Sequence, residues 1–439
     1  MGLDPGLVTV IFLGIMIMML VSGMPVSFML LTLSAFGFWL LRGVSSLDSL
    51  ALVTFSYLTK DTFLALPTFI FMATVLEVSG MGGRLYSMMY KWMAGLRGGL
   101  AMGTIGISTI IAAMSGSAAT ATVTLGTLGY PEMLKRGYDK HLIIGCIPAG
   151  GNLGPLIPPS VTMIIVASIT TVSIGKLFIA GVIPGLLTAL GFAIYIGVLC
   201  WRNPRMGPPI PVTERASWKE KLESLKSAGL PVALILFQLA LIYLGIATPS
   251  EVGGLGAFGA LICAWIYGNL NFRNLEIAAR NAMRISCMLV WLLVTGGAFS
   301  QLLGIIGVQT FIQKTLTGLP LSPTTIFLGV ILLVLVLGMF IDAAPLAIIL
   351  LPVFYPVMMR LGFDPLWFNL VFTMALIVGI ISPPFGMVLF YFKGLNLPGV
   401  TMEDIYRAVI PYTLIMVAVL VLVILFPGLG TWLPNRMIR

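Results

Sequence analysis

The stretch MSGSAATATVTLGTLGYPEMLKRGYD, residues 114–139, has a counterpart 225 positions on in MFIDAAPLAIILLPVFYPVMMRLGFD, residues 339–364. The register needs no gap: Tyr130-Pro131 falls on Tyr355-Pro356, Asp139 on Asp364, and Ser117 on Asp342. Carried further, it lays Gly154, Pro158 and Pro159 of AGGNLGPLIPPS (149–160) onto Gly379, Pro383 and Pro384 of GIISPPFGM (379–387). Internal similarity at one fixed offset marks two copies of a structural unit.

The surroundings of both copies are apolar. Of 439 residues, 59% are hydrophobic and 9% charged, and the mean hydropathy is +1.08. A soluble domain carries about 25% charged residues, so soluble enzymes and nucleic-acid binders are excluded. Helices satisfy their own backbone hydrogen bonds in lipid. The alternating ten-residue segments of a barrel are absent. The reading is an all-α polytopic membrane protein. The net charge of +9 lies in the connections between apolar runs, as the positive-inside rule expects.

Runs able to cross a bilayer fall near 4–23, 24–41, 66–80, 142–173, 175–200, 229–247, 249–268, 285–304, 366–392 and 408–427. Regions 99–131 and 321–356 are broken in the middle by small or polar residues and read as re-entrant hairpins. Segments 48–64, 271–284 and 400–408 mix charge with hydrophobes and are expected at the interface. The first 41 residues hold no Lys or Arg, so no cleavable signal peptide is expected. The polar stretch 201–228 carries Arg202, Arg205, Arg215, Lys219, Lys221 and Lys226, and belongs in the cytoplasm. It puts Lys135, Arg136, Lys140, Arg273, Arg280 and Arg284 on the same side, and both termini opposite, with Arg436 and Arg439 as exceptions to the charge rule. Five crossings separate the copies, an odd number, so the second lies inverted against the first. Inverted copies exchange inward- and outward-facing states by one rearrangement, which favours a transporter over a static scaffold.

The chemistry gathers at the breaks. Ser115, Gly116 and Ser117 expose carbonyls and hydroxyls in an apolar layer, and Gly150, Gly151, Gly154, Pro158 and Pro159 cannot continue a helix. Unwound backbone inside a membrane survives where it lines a cavity, and its free carbonyls are hard oxygen ligands suited to sodium. The second copy places Asp342 where the first has Ser117; a carboxylate there ligates a cation, carries a proton, or pairs with a backbone donor. Glu77 reads as half of a helix-end ion pair with Arg84, Glu251 as a helix N-terminal carboxylate, and His141 as an interfacial residue. The tryptophans and interfacial tyrosines read as membrane-belt residues. Cys146, Cys200, Cys263 and Cys287, without CxxC spacing, read as buried small hydrophobes. GxxxxGK[ST], HExxH and GxSxG are all absent, so no enzyme is expected and no transition metal is implied.

These paired motifs resemble the large membrane subunit of TRAP (tripartite ATP-independent periplasmic) transporters, C4-dicarboxylate permease type, over about residues 5–430. The resemblance implies a sodium-driven elevator transporter of the bacterial inner membrane. Such a transporter receives organic acids from a periplasmic binding protein and works with a separate small four-helix membrane subunit; this chain looks like the unfused form. It implies two or more sodium ions. The first would sit at Ser115, Gly116 and Ser117 with oxygens near Gly151, Asn152, Gly154 and Pro158. The second would sit at Gly338, Asp342 and Ala343 with oxygens near Gly379, Ser382 and Pro384. The substrate would occupy the cleft between the hairpin tips, with no single Arg assigned to it.

The domain expectation follows: scaffold and first arm at 1–98, a transport half at 99–173, scaffold with the cytoplasmic loop and second arm at 174–320, the second transport half at 321–392, and a scaffold helix at 393–439. The arms are 81–97 and 305–318. Competing readings are a proton-coupled or binding-protein-independent organic anion carrier, and a channel or structural membrane subunit.

Overall fold

A computed structural model describes residues 5–437 apart from 212 and 214; Arg439 lies outside the described residues. Among the described residues the chain is helical, with no strand. It opens with α1 (Pro5–Val21), α2 (Val26–Arg42), α3 (Asp48–Leu58), α4 (Ala65–Val78) and α5 (Met81–Met93). The first hairpin is α6 (Gly99–Ser115) and α7 (Ala118–Lys135), followed by α8 (Lys140–Gly151) and α9 (Val161–Thr170). Then come α10 (Ile174–Arg202), α11 (Trp218–Tyr243), α12 (Pro249–Ile266), α13 (Phe272–Ile306) and α14 (Val308–Gly318). The second hairpin is α15 (Pro323–Gly338) and α16 (Ala343–Arg360), followed by α17 (Pro365–Ile381) and α18 (Met387–Lys393). The chain closes with α19 (Met402–Leu425) and α20 (Gly428–Thr431). Helices α7 and α16 begin and end 225 residues apart, and α8 and α17 begin 225 apart.

The same local chemistry sets both copies. Asp139 caps α8 by accepting from the amides of His141 (2.9 Å) and Leu142 (3.1 Å), and Asp364 caps α17 by accepting from Trp367 N at 2.7 Å. Each carboxylate satisfies amides that a helix start leaves without partners. At 152–160 and 382–386 the α-helix gives way, and both Pro158–Pro159 and Pro383–Pro384 are cis.

Among the described residues, five helices (α10, α12, α13, α16 and α19) are long and apolar enough to cross a bilayer, or up to seven if two bent pairs each count as one span. One of those pairs is α4 and α5, which meet at 65°. The runs 142–173 and 366–392 are each two helices with an irregular middle. Three polar segments are parts of longer helices. Segment 271–284 is the first part of the 35-residue α13, and 400–408 holds the first turns of α19. Charged residues on an exposed helical extension look interfacial while the backbone runs straight on. The end of 201–228 is also helical: α11 starts at Trp218 behind a capping box of Ser217 and Glu220. Hydrogen bonds from the Ser217 amide and hydroxyl hold the Glu220 carboxyl below its usual range.

The 203–211 segment folds back on the first copy. Gly98 N donates to Gly207 O (2.8 Å), Asp139 N to Met206 O (2.9 Å), and Ile210 N to Ala94 O (2.9 Å). The foot of the first hairpin thus lies at the end of α19 where Lys140 Nζ meets Asp404 Oδ2 at 2.6 Å. The foot of the second lies at the other end, where Trp367 Nε1 donates to Val423 O at 3.0 Å. At 1.5 Å per residue these points are about 28 Å apart.

Helices α10 and α19 pack closely on the broken helices. A Cβ on Gly145 of α8 would lie 2.5 Å from Ala408 O of α19, and one on Gly181 of α10 would lie 2.4 Å from Leu156 O. The Tyr412 ring of α19 meets Phe192 and Tyr195 of α10 edge-on, with centroids 5.2 and 5.3 Å away. A second layer, in which α4 packs on α12 and α13, and α13 on α2 and α3, stands beside this body. Cys146, Cys200 and Cys263 are buried as expected, whereas Cys287 is exposed on the outer side of α13. Arg436 stacks on the Trp432 ring, 4.6 Å from its centroid.

Candidate functional site: a cavity between two hairpin tips

Both hairpin tips line one cavity of about 280 Å³. Ser115, Gly116, Ser117, Ala118, Ala119 and Thr120 come from the first tip, and Asp342, Ala343 and Ala344 from the second. Pro155 reaches it from the first unwound stretch and Val161 and Thr162 from the start of α9, while Ile380 of α17 and Val388 and Tyr391 of α18 reach it from either side of the second. The far wall is α4 (Ile70, Ala73, Thr74, Glu77) and α13 (Ile285, Met288, Leu289).

Each tip is held by its own polar side chain. Gly116 takes a left-handed φ of 62° to end α6, a conformation that suits a residue without Cβ. Ser115 Oγ then bonds to both the amide and the carbonyl of Ser117, at 3.3 and 3.2 Å. Ser117 caps α7, accepting from Thr120 N at 3.4 Å. Asp342, at the equivalent position, caps α16 by accepting from Ala343 N at 2.7 Å. The backbone-donor role weighed for Asp342 is therefore present, and it engages one oxygen, Oδ1. Asp342 is half-buried and faces the cavity.

The unwound stretches approach the tips through their glycines. A Cβ on Gly154 would lie 2.3 Å from Ala112 Cβ, and one on Gly379 would lie 2.7 Å from Gly338 Cα. Gly151 abuts Thr122 of α7. Among the described residues, no hydrogen bond reaches the carbonyl oxygens of Asn152, Gly154 or Gly338. Asn152 is fully buried; its Nδ2 donates to Ile377 O at 2.8 Å, and its Oδ1 has no partner. Three unbonded carbonyls and a buried amide oxygen fit a hard cation better than an apolar ligand. Among the described residues Pro158 O also accepts no hydrogen bond, whereas several other candidates are engaged. Gly379 O accepts from Ser382 N, Ser382 Oγ donates to Val378 O, and Pro384 O accepts from the Tyr406 hydroxyl. None of Gly151, Asn152, Gly154, Pro158, Gly338, Gly379, Ser382 and Pro384 lines the cavity itself.

One expected pair is not formed. Arg84 donates to Tyr267 O at 3.3 Å and lies over the Tyr267 ring, so Glu77 forms no ion pair with it and faces the cavity instead. Tyr391, which the sequence reading did not single out, lines the cavity. Its position just past the break at 382–386 is the sequence signal that places it there. Glu251 closes a capping box with Thr248, its expected role.

Two hairpin tips meeting at one cavity inside an apolar helical body mark an integral, multi-pass membrane protein. The solved structure of the YdaH transporter of Alcanivorax borkumensis shares this fold, with a TM-score of 0.66 at 18% identity over 98% of this chain and 99% of that one. The chain is 30% identical to the C4-dicarboxylate TRAP transporter large permease protein DctM of Rhodobacter capsulatus, covering 97% of this chain and 98% of the relative. It is 28% identical to the 2,3-diketo-L-gulonate TRAP transporter large permease protein YiaN of Escherichia coli, covering 95% and 97%. The family model for the tripartite ATP-independent periplasmic transporter, DctM component, matches residues 13–429, and the chain belongs to that family. It is a transporter permease and not an enzyme. Relatives with different cargoes stand at similar identity, so membership does not single out C4-dicarboxylates.

Proposed function

We propose that this chain is the large membrane subunit of a sodium-coupled importer of the bacterial inner membrane. It takes an organic acid from a periplasmic binding protein and works beside a separate small four-helix subunit. The observation that carries the reading is the single cavity shared by both hairpin tips, with Asp342 on its wall. One sodium would be held by Ser115, Ser117 and the open carbonyls of Asn152 and Gly154. A second would be held by Asp342 and Gly338 O. Each hairpin foot stands at the opposite end of α19, which supports the inverted repeat and an elevator movement of the two hairpins with their broken helices. We include α10 and α19 in the moving body. Their glycine-mediated packing on Leu156 and on α8 fits that assignment better than the scaffold expected from sequence. Relatives named for C4-dicarboxylate and 2,3-diketo-L-gulonate support an organic acid cargo.

The test is uptake by proteoliposomes holding this chain and its small subunit, with cargo-loaded binding protein outside. Uptake that saturates and requires an inward sodium gradient supports the reading. Uptake driven equally by a proton gradient without sodium refutes it.

A further inference from the structure

The first turns of α11, Trp218–Lys226, are set apart from the rest of that helix, bending by 53° from its apolar remainder, Gly229–Tyr243. Successive residues of a helix advance by about 100°, so Trp218, Leu222 and Leu225 share one stripe about 60° wide. All three are exposed, by 73%, 55% and 46%. Lys219, Lys221 and Lys226 border the stripe on both sides, within about 95° of its centre, whereas Glu220 and Glu223 lie about 130° or more away. Ser224 is buried, and the Trp92 indole of α5 donates to Lys221 O at 3.2 Å. The helix therefore rests on the protein by its Ser224 side and turns its apolar stripe outward. Among the described residues none of the three lysines is in an ion pair; Lys221 lies over the Trp218 ring, 5.0 Å from its centroid. Trp92 and Trp218 meet edge-on with centroids 6.3 Å apart, and both are exposed, as indoles at a membrane–water boundary are.

We propose that 218–226 lies along the membrane surface and binds anionic phospholipids. Trp218, Leu222 and Leu225 enter the acyl boundary, and Lys219, Lys221 and Lys226 meet the lipid phosphates. An apolar stripe bordered by lysines, with the carboxylates turned away, is complementary to a negatively charged headgroup layer and the hydrocarbon beneath it. The site goes beyond the importer reading and stands whether or not uptake needs sodium. Its position gives it a role: α11 packs along α5, and α5 leads through 94–98 into the first hairpin. The lipid contact anchors the arm from the membrane surface, at the end next to the foot of that hairpin.

The experiment uses the complete transporter with its small subunit, cysteine-free except for Leu222→Cys carrying a fluorophore. It is placed in phosphatidylcholine vesicles that contain a small fraction of nitroxide-labelled phosphatidylglycerol or, in parallel, the same fraction of nitroxide-labelled phosphatidylcholine. A nitroxide quenches the fluorophore on contact, so the two arms compare the lipids at one position. The anionic lipid is expected to quench about fivefold more effectively, the preference that one lysine near an anionic surface confers. Lys219→Gln, Lys221→Gln and Lys226→Gln together should bring the two lipids to parity. Equal quenching by both lipids before these substitutions overturns the anionic site. Quenching by neither overturns the proposal outright, because the stripe then stands in water or is covered by protein, the small subunit included. A preference that survives the triple substitution also overturns it, since other residues then select the lipid.

Discussion

Asn152 donates its side-chain amide to the main-chain carbonyl of Ile377, 2.8 Å away, and the two positions are equivalent in the 225-residue register. A residue that bonds to its own counterpart stands where the two copies meet. Both sides of this bond are fully buried. The two broken helices are therefore joined at their centres.

Removing that amide deletes a buried hydrogen bond between the copies, which costs about 0.5–1.5 kcal/mol. Asn152→Ala should lower the midpoint of thermal unfolding in detergent by a few degrees. An unchanged midpoint would show that the bond contributes nothing to holding the halves together.

Asp342→Asn keeps a good helix cap and removes only the charge, so the fold should survive. The sodium concentration for half-maximal uptake should rise about tenfold, equivalent to about 1.4 kcal/mol of lost ion binding. Ser117→Ala should be milder in sodium dependence, since backbone oxygens remain, but should lose about 1 kcal/mol of capping. Sodium titrations of uptake and size-exclusion profiles separate the two effects. If Asp342→Asn keeps the wild-type midpoint and rate, Asp342 is a hairpin-tip cap alone.

Gly379→Ala would place a methyl 2.7 Å from Gly338 Cα, against backbone that has no side chain to move aside. Overpacking of this kind costs about 1–3 kcal/mol, and here it falls on the approach of α17 to the second tip. Transport should fall at least tenfold. Gly329→Ala, on the same hairpin but with nothing within 4 Å, should transport normally. Equal activity in the two variants would remove close packing as the reason for the glycine.

Ser300 on α13 and Tyr355 on α16 line one small cavity of about 170 Å³ between the proposed scaffold and moving body. In a cysteine-free background, Ser300→Cys with Tyr355→Cys and a short bifunctional reagent should arrest uptake, and a cleavable reagent should allow recovery on reduction. Full activity with the crosslink verified by mass spectrometry would rule out the elevator movement.

Met437 lies beside Gly175 at the start of α10, the end at which Asn369 of α17 bonds to Thr170. With 201–228 cytoplasmic, a cysteine at 437 should react with a membrane-impermeant reagent from the periplasmic side of intact cells. Reaction from the cytoplasmic side alone would reverse the orientation.

Much of the site was legible because its signals are local. Gly116, the Pro158–Pro159 and Pro383–Pro384 pairs and Asp342 each break or cap a helix wherever the chain runs, so the hairpins and unwound stretches could be read directly. Residues whose role depends on what packs opposite could not be read that way. Glu77 and Arg84 lie seven residues apart, close enough to suggest a pair, but the 65° bend between α4 and α5 sends Arg84 to Tyr267. Helices α10 and α19 are apolar on most sides, so nothing in their patterning says whether they face the hairpins or the outer helices. Cys287 lies in an apolar run like the other three cysteines but faces outward.

The hydrogen bonds that fasten 203–211 to Ala94, Gly98 and Asp139 have a consequence for how the molecule can be assembled. All of them lie within the first half of the chain, and the Arg215 Nε bond to Ile210 O does too, while the Ser217–Glu220 box lies wholly within the second. A nick at Ala216 therefore severs one covalent link and none of these hydrogen bonds. Two polypeptides, one ending at Arg215 and one beginning at Ser217, should dock into a working permease when made together in one cell, since Asn152 of one still finds Ile377 of the other.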